Sequence, residues 1–343
     1  MVCKYGNGRR DKNPTGVYQH PAARSKMQNI LFVKTSSLGD VIHQMPAVTE
    51  ARRHYPDAHF SWAVEEAFAP LVALHPAVDE VIPVAWRRWR RRILSAPARR
   101  EIRRMIRTLR ARRYDAIVDT QGLARSAIVA RLARGKRHGY DLESVRERFA
   151  AHLYDMHHAV PRARHAVARN VALTSLALGY TPRGPLDFGL DRNAIVEAVV
   201  SPYAIALHAS AQDRKLWPEQ SWIELGHMLR GRAPRLLFPW GNDAERARSE
   251  RIVALLPHGR VPDRRPLDAM ARLIAGASFV VGVDTGILHL AAALGVPLVA
   301  IFTGSEPGLT GPVGSGKMEI VGQNGVVPSV ADVAAAIERV TTP

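Results

Sequence analysis

Residues 29–35 (NILFVKT) form a short apolar, β-branched run that ends in small polar residues, a buried strand opening into a turn. Across residues 40–54 the apolar positions are Val41, Ile42, Met45, Val48 and Ala51, a helical period that predicts one helix. Strand-like runs recur at residues 59–64, 80–84 and 115–119, with helical stretches between them. A second series follows at residues 203–208 (YAIALH), 235–240 (RLLFPW), 278–283 (SFVVGV) and 297–302 (PLVAIF). Helical patterns separate these at residues 219–229, 244–256, 267–275 and 285–294, and a last helix is expected over residues 329–340. Such alternation predicts parallel sheets covered on both faces. Between the two series, residues 86–113 carry 13 arginines and one acid, Glu101. Residues 141–165 are polar and aromatic, with His157, His158 and His165, and Pro182, Gly184, Pro185 and Gly189 mark a linker. The expected architecture is α/β: two doubly wound, Rossmann-like lobes, residues 27–185 and 186–343, facing a central cleft. The last helix is expected to pack back towards the first lobe. Ligands of such sheets bind at the carboxyl ends of the strands.

A length of 343 residues suits two domains. The 47% hydrophobic and 23% charged content excludes a mainly disordered or collagen-like chain. Cys3 is the single cysteine, so no intrachain disulfide can form. Lys and Arg number 48 against 31 Asp and Glu, a formal charge of +17. That points to an anionic partner: a phosphorylated metabolite, an anionic membrane surface or nucleic acid. Residues 1–26 hold six cations against Asp11 and no apolar segment, so they read as a disordered extension rather than a secretory signal. They account for only +5 of the +17. No apolar run approaches the ~20 residues needed to span a bilayer.

Three strand-to-helix loops carry candidate chemistry. In KTSSLGD, residues 34–40, Gly39 permits a close approach and Asp40 lies at the start of a helix facing the cleft. The spacing of Ser37 and Asp40 equally fits a capping box. In HASAQDRKLWP, residues 208–218, Ser210 offers a hydroxyl and Lys215 a point charge for a phosphate. Alternatively the loop is solvated and Pro218 starts a helix. In VDTGILHLAAALGVP, residues 283–297, Thr285 and Gly286 would present N–H groups to a diphosphate; alternatively Asp284 or Thr285 is only an N-cap and His289 only packs against the sheet. The arginine stripe is either a solvated helix face or a surface for phosphates, carboxylates or nucleic acid. There is no Gly-x-Gly-x-x-Gly or Gly-Lys-Ser/Thr signature and no Gly-x-Ser-x-Gly elbow, and the pair His157–His158 lacks nearby cysteines or a His-Glu-x-x-His arrangement, so no metal site is expected.

In order, VKTSSLGDVIHQMPA, VEEAFA, VIPVAWRRWR, YDAIVDTQGL followed by Arg125-Ser126-Ala127, HGYD, LHAS with DRKLWP, PWG and VDTGILHLAAALGVP resemble the heptosyltransferases of lipopolysaccharide core synthesis, glycosyltransferase family 9. The resemblance runs from about residue 29 to the last helix. It implies a GT-B fold, with an acceptor-binding first lobe and a donor-binding second lobe. The implied reaction transfers L-glycero-D-manno-heptose from ADP-L-glycero-β-D-manno-heptose to the Kdo residue of Kdo2-lipid A, with inversion and no essential metal or other cofactor. It implies a cytoplasmic protein, peripheral on the inner membrane, that does not bind nucleic acid.

By family position Asp40 is the catalytic base. Donor contacts are implied for Ser210, Ala211, Lys215, Glu245, Asp284, Thr285, Gly286 and His289. Acceptor contacts are implied for Lys34, Ser37, Gly39, Arg87, Arg88, Arg90, Gln121 and Arg146. Two departures stand out. Ala211 replaces a second hydroxyl residue, and the acid expected to hold the ribose follows PWG at a shorter distance, with Glu245 preferred and Asp243 the alternative. The segments Arg87-Arg88-Trp89-Arg90 and Gln121-Gly122-Leu123 favour the branch that adds the first heptose over heptosyltransferase II. Another nucleotide-sugar enzyme of GT-B fold and a basic nucleic-acid-binding protein are the remaining alternatives.

Overall fold

In the computed structural model of the chain, residues 27–198 and 201–342 are described. The expected extension, residues 1–26, lies outside them. The first lobe is built on six strands: β1 (Asn29–Val33), β2 (His59–Glu65), β3 (Glu80–Val84), β4 (Arg113–Asp119), β5 (Arg134–Tyr140) and β6 (Met156–His158). They pair in parallel in the order β3-β2-β1-β4-β5-β6. The second lobe repeats the design with β7 (Ala204–Leu207), β8 (Leu236–Leu237), β9 (Gly259–Arg260), β10 (Val280–Val283), β11 (Leu298–Phe302) and β12 (Met318–Gly322), in the order β12-β11-β10-β7-β8-β9. Both are doubly wound sheets whose strand order reverses at one crevice, between β1 and β4 and between β7 and β10.

Period-2 alternation explains why β1 is buried on both sides. Ile30 and Phe32 join Phe60 and Trp62 on one face. Leu31 and Val33 join Ala63, Ile82 and Met105 on the other. The first of these clusters continues into the second lobe through Leu288, Leu290 and Ile205, so the lobes share packed apolar surface. Two helix pairs make the seam: Leu38–Ile42 against Gly286–Ala293, and Ala69–Val72 against Leu267–Ala275.

The expected helix over residues 40–54 is two helices, Leu38–Ile42 and Met45–His54. Pro46 has no N–H to continue the ladder, and it starts the second helix instead. The last helix, Val330–Thr341, does not return to the first lobe. Its buried Val333, Ala336, Ile337 and Val340 pack with Trp217, Trp222, Val299 and Ile301, all in the second lobe. Its apolar stripe covers the face of the sheet that Val299 and Ile301 of β11 present. The crossing between lobes lies beyond residue 185: Asp187 still pairs with Arg53 at 2.5 Å, whereas the Arg192 guanidinium donates to the carbonyls of Ala275 (2.7 Å) and Ala277 (2.9 Å).

Candidate active site between the two lobes

Both strand-order reversals open onto one cleft of about 870 Å³ at the seam. From the first lobe the loop after β1 contributes Ser37, Gly39 and Asp40. The Asp40 carboxylate accepts from the Ser37 N–H (2.9 Å) and the Ser37 hydroxyl (3.0 Å), and Arg146 lies 3.6 Å away. All three contacts fall on Oδ2, which leaves the second oxygen for a substrate proton. Burial pushes the Asp40 pKa up, but Lys34, Arg146 and the Ser37 donors outweigh it and hold the carboxyl below its usual range. Asp40 therefore stands ionised at neutral pH.

Buried side chains hold this loop in place. The Lys34 ammonium donates to the Thr120 carbonyl (2.9 Å) and Asn170 Oδ1 (3.4 Å), and burial, opposed by Asp40, lowers its pKa to about 8. Gln121 Oε1 accepts from the Thr35 N–H (2.6 Å) and hydroxyl (2.7 Å). Arg125 donates to the Ser36 hydroxyl at 2.8 Å.

The second lobe answers with Asp284, whose Oδ2 accepts from Lys215 Nζ (2.7 Å) and the Ser305 hydroxyl (2.5 Å). Ser210 donates to the Asp284 carbonyl at 3.1 Å. Thr285 caps the helix Gly286–Ala293, whose first N–H groups face the cleft with the positive end of its dipole. Glu245 lines the cleft near Trp240, accepting from the Gly241 N–H (2.7 Å) and Asn242 Nδ2 (2.8 Å).

The two glycines at the seam are there for space. A Cβ on Gly39 would lie 2.9 Å from His289 Cδ2, and one on Gly286 would lie 2.8 Å from Leu38 Cβ. His289 in turn reaches His43, Nδ1 to Nε2, at 3.1 Å. The result is an ionised carboxylate on one wall, and a cation, a hydroxyl and helix N–H groups on the other. This combination can deprotonate a hydroxyl on one side and stabilise a departing phosphate on the other.

Residues 102–335 match the family model of glycosyltransferase family 9 (heptosyltransferase). The chain belongs to that family.

The transferase is 43% identical over 293 residues to lipopolysaccharide heptosyltransferase 1 of Salmonella typhimurium, an alignment covering 84% of the chain and 92% of that protein. Its fold superposes on the E. coli heptosyltransferase WaaC with ADP at a TM-score of 0.86 and 38% identity, covering 91% of the chain and 99% of the other. The same E. coli enzyme with ADP-2-deoxy-2-fluoro heptose gives 0.80 at 37% identity, covering 91% and 98%. The two-lobe architecture expected from the sequence is therefore a GT-B fold.

The cleft of the transferase gathers Ser37, Gly39, Asp40, Arg87, Arg146, Ser210, Ala211, Lys215, Glu245, Asp284, Thr285, Gly286 and His289. Other residues expected at the site lie elsewhere. Lys34 and Gln121 are buried behind the first loop and do not line the cleft. Arg88 turns away to Glu66 (2.8 Å) and Glu101 (2.7 Å), and Arg90 is exposed outside the cleft. The stripe divides because Trp86–Trp89 is a single helical turn, which sends neighbouring side chains in different directions. Asp243 also lies outside. Sequence reasoning missed His43, Phe68, Trp240, Arg264, Arg265 and Ser305. Of these, His43, Phe68 and Trp240 carried a signal, since they lie in VKTSSLGDVIHQMPA, VEEAFA and PWG, and His43 stands three residues after Asp40 at the end of the same short helix. Among the described residues no group of three or more His, Cys, Asp or Glu side chains is gathered to hold a metal ion. No described helix is long and apolar enough to cross a membrane.

Proposed function

We propose that the transferase moves L-glycero-D-manno-heptose from ADP-heptose to the Kdo residue of Kdo2-lipid A, with inversion, at the cytoplasmic face of the inner membrane. The observation that carries this reading is the opposition of Asp40 to Lys215, Asp284 and Thr285 across one cleft. Similarity to a heptosyltransferase solved with an ADP-heptose analogue supports the donor.

Asp40 accepts the proton of a Kdo hydroxyl as that oxygen attacks the anomeric carbon of the heptose. The new C–O bond forms on the face opposite the diphosphate. The old C–O bond breaks, and its electron pair leaves on ADP. Lys215 and the N–H groups at Thr285 and Gly286 meet the charge that develops on the diphosphate, so that no divalent metal is required. The ion pair with Asp284 orients Lys215, and Asp284 and Ser210 address the heptose and the phosphate. Glu245 takes the ribose, and a backbone N–H at Ala211 replaces the missing hydroxyl. Arg87 and Arg146 receive the anionic acceptor.

The test is incubation with ADP-heptose and Kdo2-lipid A, following ADP release and acceptor mass. One added heptosyl unit is expected. Turnover only on an acceptor that already carries heptose would assign the second core transferase, and no turnover on either would overturn the reading.

A further inference from the structure

The helix Ala96–Ala111 is strongly two-sided. Ala98, Met105 and Leu109 are buried against the first sheet. Arg99, Arg100, Arg103, Arg104 and Arg107 are exposed. Among the described residues none of the five guanidinium groups makes a salt bridge or a hydrogen bond. The one acid on the helix, Glu101, is taken by Arg88 (2.7 Å) and the Trp89 indole N–H (2.8 Å). Like charges therefore stand three and four residues apart, at 99/103, 100/104, 103/107, 100/103 and 104/107, a spacing that destabilises an isolated helix. No carboxylate among the described residues forms an ion pair with any of the five; Glu101, which Arg88 holds, acts on Arg104 only through its field.

Three further features lie on the same face. A groove of about 780 Å³ runs along it, lined by Arg100, Arg103, Arg104 and Arg107 together with Pro97, Ile106 and the single acid Glu101. Immediately before the helix, Leu94 is 81% exposed and Ile93 51% exposed, two large apolar side chains open to solvent. The contacts of Glu101 with Arg88 and Trp89 tie the first turns of the helix to the segment whose Arg87 lines the cleft.

We propose that the face formed by Ile93, Leu94 and the arginines of the helix Ala96–Ala111 docks the enzyme on an anionic phospholipid bilayer. In that mode Leu94 enters the interface and the arginines lie on the phosphates. This inference rests on the proposed lipid acceptor, because it explains how the cleft meets a substrate held in a membrane. Charge complementarity selects an anionic partner, and the exposed leucine and isoleucine select a bilayer over nucleic acid, which offers no apolar phase. Binding requires both apolar burial and electrostatic attraction, and Ile93, Leu94 and the arginines that follow them supply both.

The experiment is flotation of the full chain with vesicles of phosphatidylcholine containing phosphatidylglycerol, and with phosphatidylcholine alone. The full chain keeps the basic residues 1–26 equal in every variant. Wild type is expected to float with the anionic vesicles and to be released by salt. Replacing Arg100, Arg103, Arg104 and Arg107 by Gln should lower partitioning on the order of 10²–10³-fold, roughly fivefold per arginine. Leu94→Ser should lower it about tenfold and leave the salt dependence in place. Both variants should retain wild-type affinity for ADP by calorimetry, which reports an intact fold without depending on turnover. Equal flotation of wild type and the Gln variant would overturn the proposal, as would tight, salt-sensitive binding to duplex DNA with no binding to anionic vesicles. Neither outcome bears on heptosyl transfer, so the two claims fail separately.

Discussion

His43 Nε2 lies 3.1 Å from His289 Nδ1, a hydrogen bond that crosses from the short helix carrying Asp40 to the helix that follows Thr285. Both rings are buried, and a shared N–H requires at least one neutral ring. Burial takes His289 down to about 4 against the opposing pull of Asp284 and Asp40, and takes His43 to about 2 with the His289 and His165 rings adding to it. An unfolded histidine titrates near 6.5. Between about pH 6.5 and pH 4 the unfolded chain therefore binds protons that the folded chain refuses, and stability falls as the pH falls. His75 and His208, both lowered to about 4 by burial, add to the same trend. At pH 5 His289 alone accounts for about 2 kcal/mol. Thermal melts at pH 7 and pH 5 check this. A markedly lower midpoint at pH 5 is expected, with a smaller difference in the His43→Asn, His289→Asn double variant. Equal midpoints for the wild type would mean that the buried rings carry charge.

The two seam glycines make a steric prediction. Gly39→Ala must push His289 aside, and Gly286→Ala must push Leu38. Each should cost about 1–3 kcal/mol of stability, the usual penalty for overpacking. Each should also lower kcat/KM, because the displaced helices carry Asp40 and the phosphate-facing N–H groups. Denaturant unfolding and steady-state kinetics together would show it. A stable and fully active variant would mean that the lobes do not need this close approach.

Lys215→Ala should raise the transition-state barrier by about 2–4 kcal/mol, the scale of one electrostatic stabiliser. Removing it also leaves Asp284 with the Ser305 hydroxyl as its close partner on Oδ2. Activity of the wild type should survive EDTA. Loss of activity in EDTA with recovery on adding Mg²⁺ would contradict the account of charge stabilisation.

Arg87 and Arg88 should behave differently despite being neighbours. Arg87→Ala should raise the acceptor KM about tenfold or more, reflecting one charge-assisted hydrogen bond of ~1.5–3 kcal/mol. Its donor KM should stay near wild type. Arg88→Ala should leave both constants nearly unchanged, since its partners are Glu66 and Glu101 and it does not line the cleft. Kinetics with each substrate varied separate the two. A larger acceptor effect for Arg88 would place the acceptor on the other side of the Trp86–Trp89 turn.

Asp40, Asp284 and Lys215 were legible in the sequence because each lies in the segment that follows an apolar strand, and a doubly wound sheet sends such loops to one crevice. Lys34 and Gln121 sit in the same motifs, yet a polar residue that supports a loop from behind reads like one that faces a ligand. Their roles depend on Thr120, Asn170 and Thr35, which only the fold brings to them. β5 was invisible because RGKRHGY has no apolar period. Its place comes from pairing with β4 rather than from its own side chains. The destination of the last helix was illegible for a similar reason. An apolar stripe says that a face is buried, not against what.

Asp40 is the centre of the account, and Asp40→Asn tests it most directly. The amide keeps the size of the side chain and an oxygen for the Ser37 N–H but cannot accept the acceptor's proton. Single-turnover transfer of heptose to Kdo2-lipid A, measured beside calorimetric affinity for the donor, separates chemistry from binding. Transfer should slow by roughly 10²–10⁴-fold, the usual contribution of a positioned general base, while donor affinity stays within about threefold of wild type. Transfer at the wild-type rate with intact donor binding would contradict the assignment of Asp40 as the base.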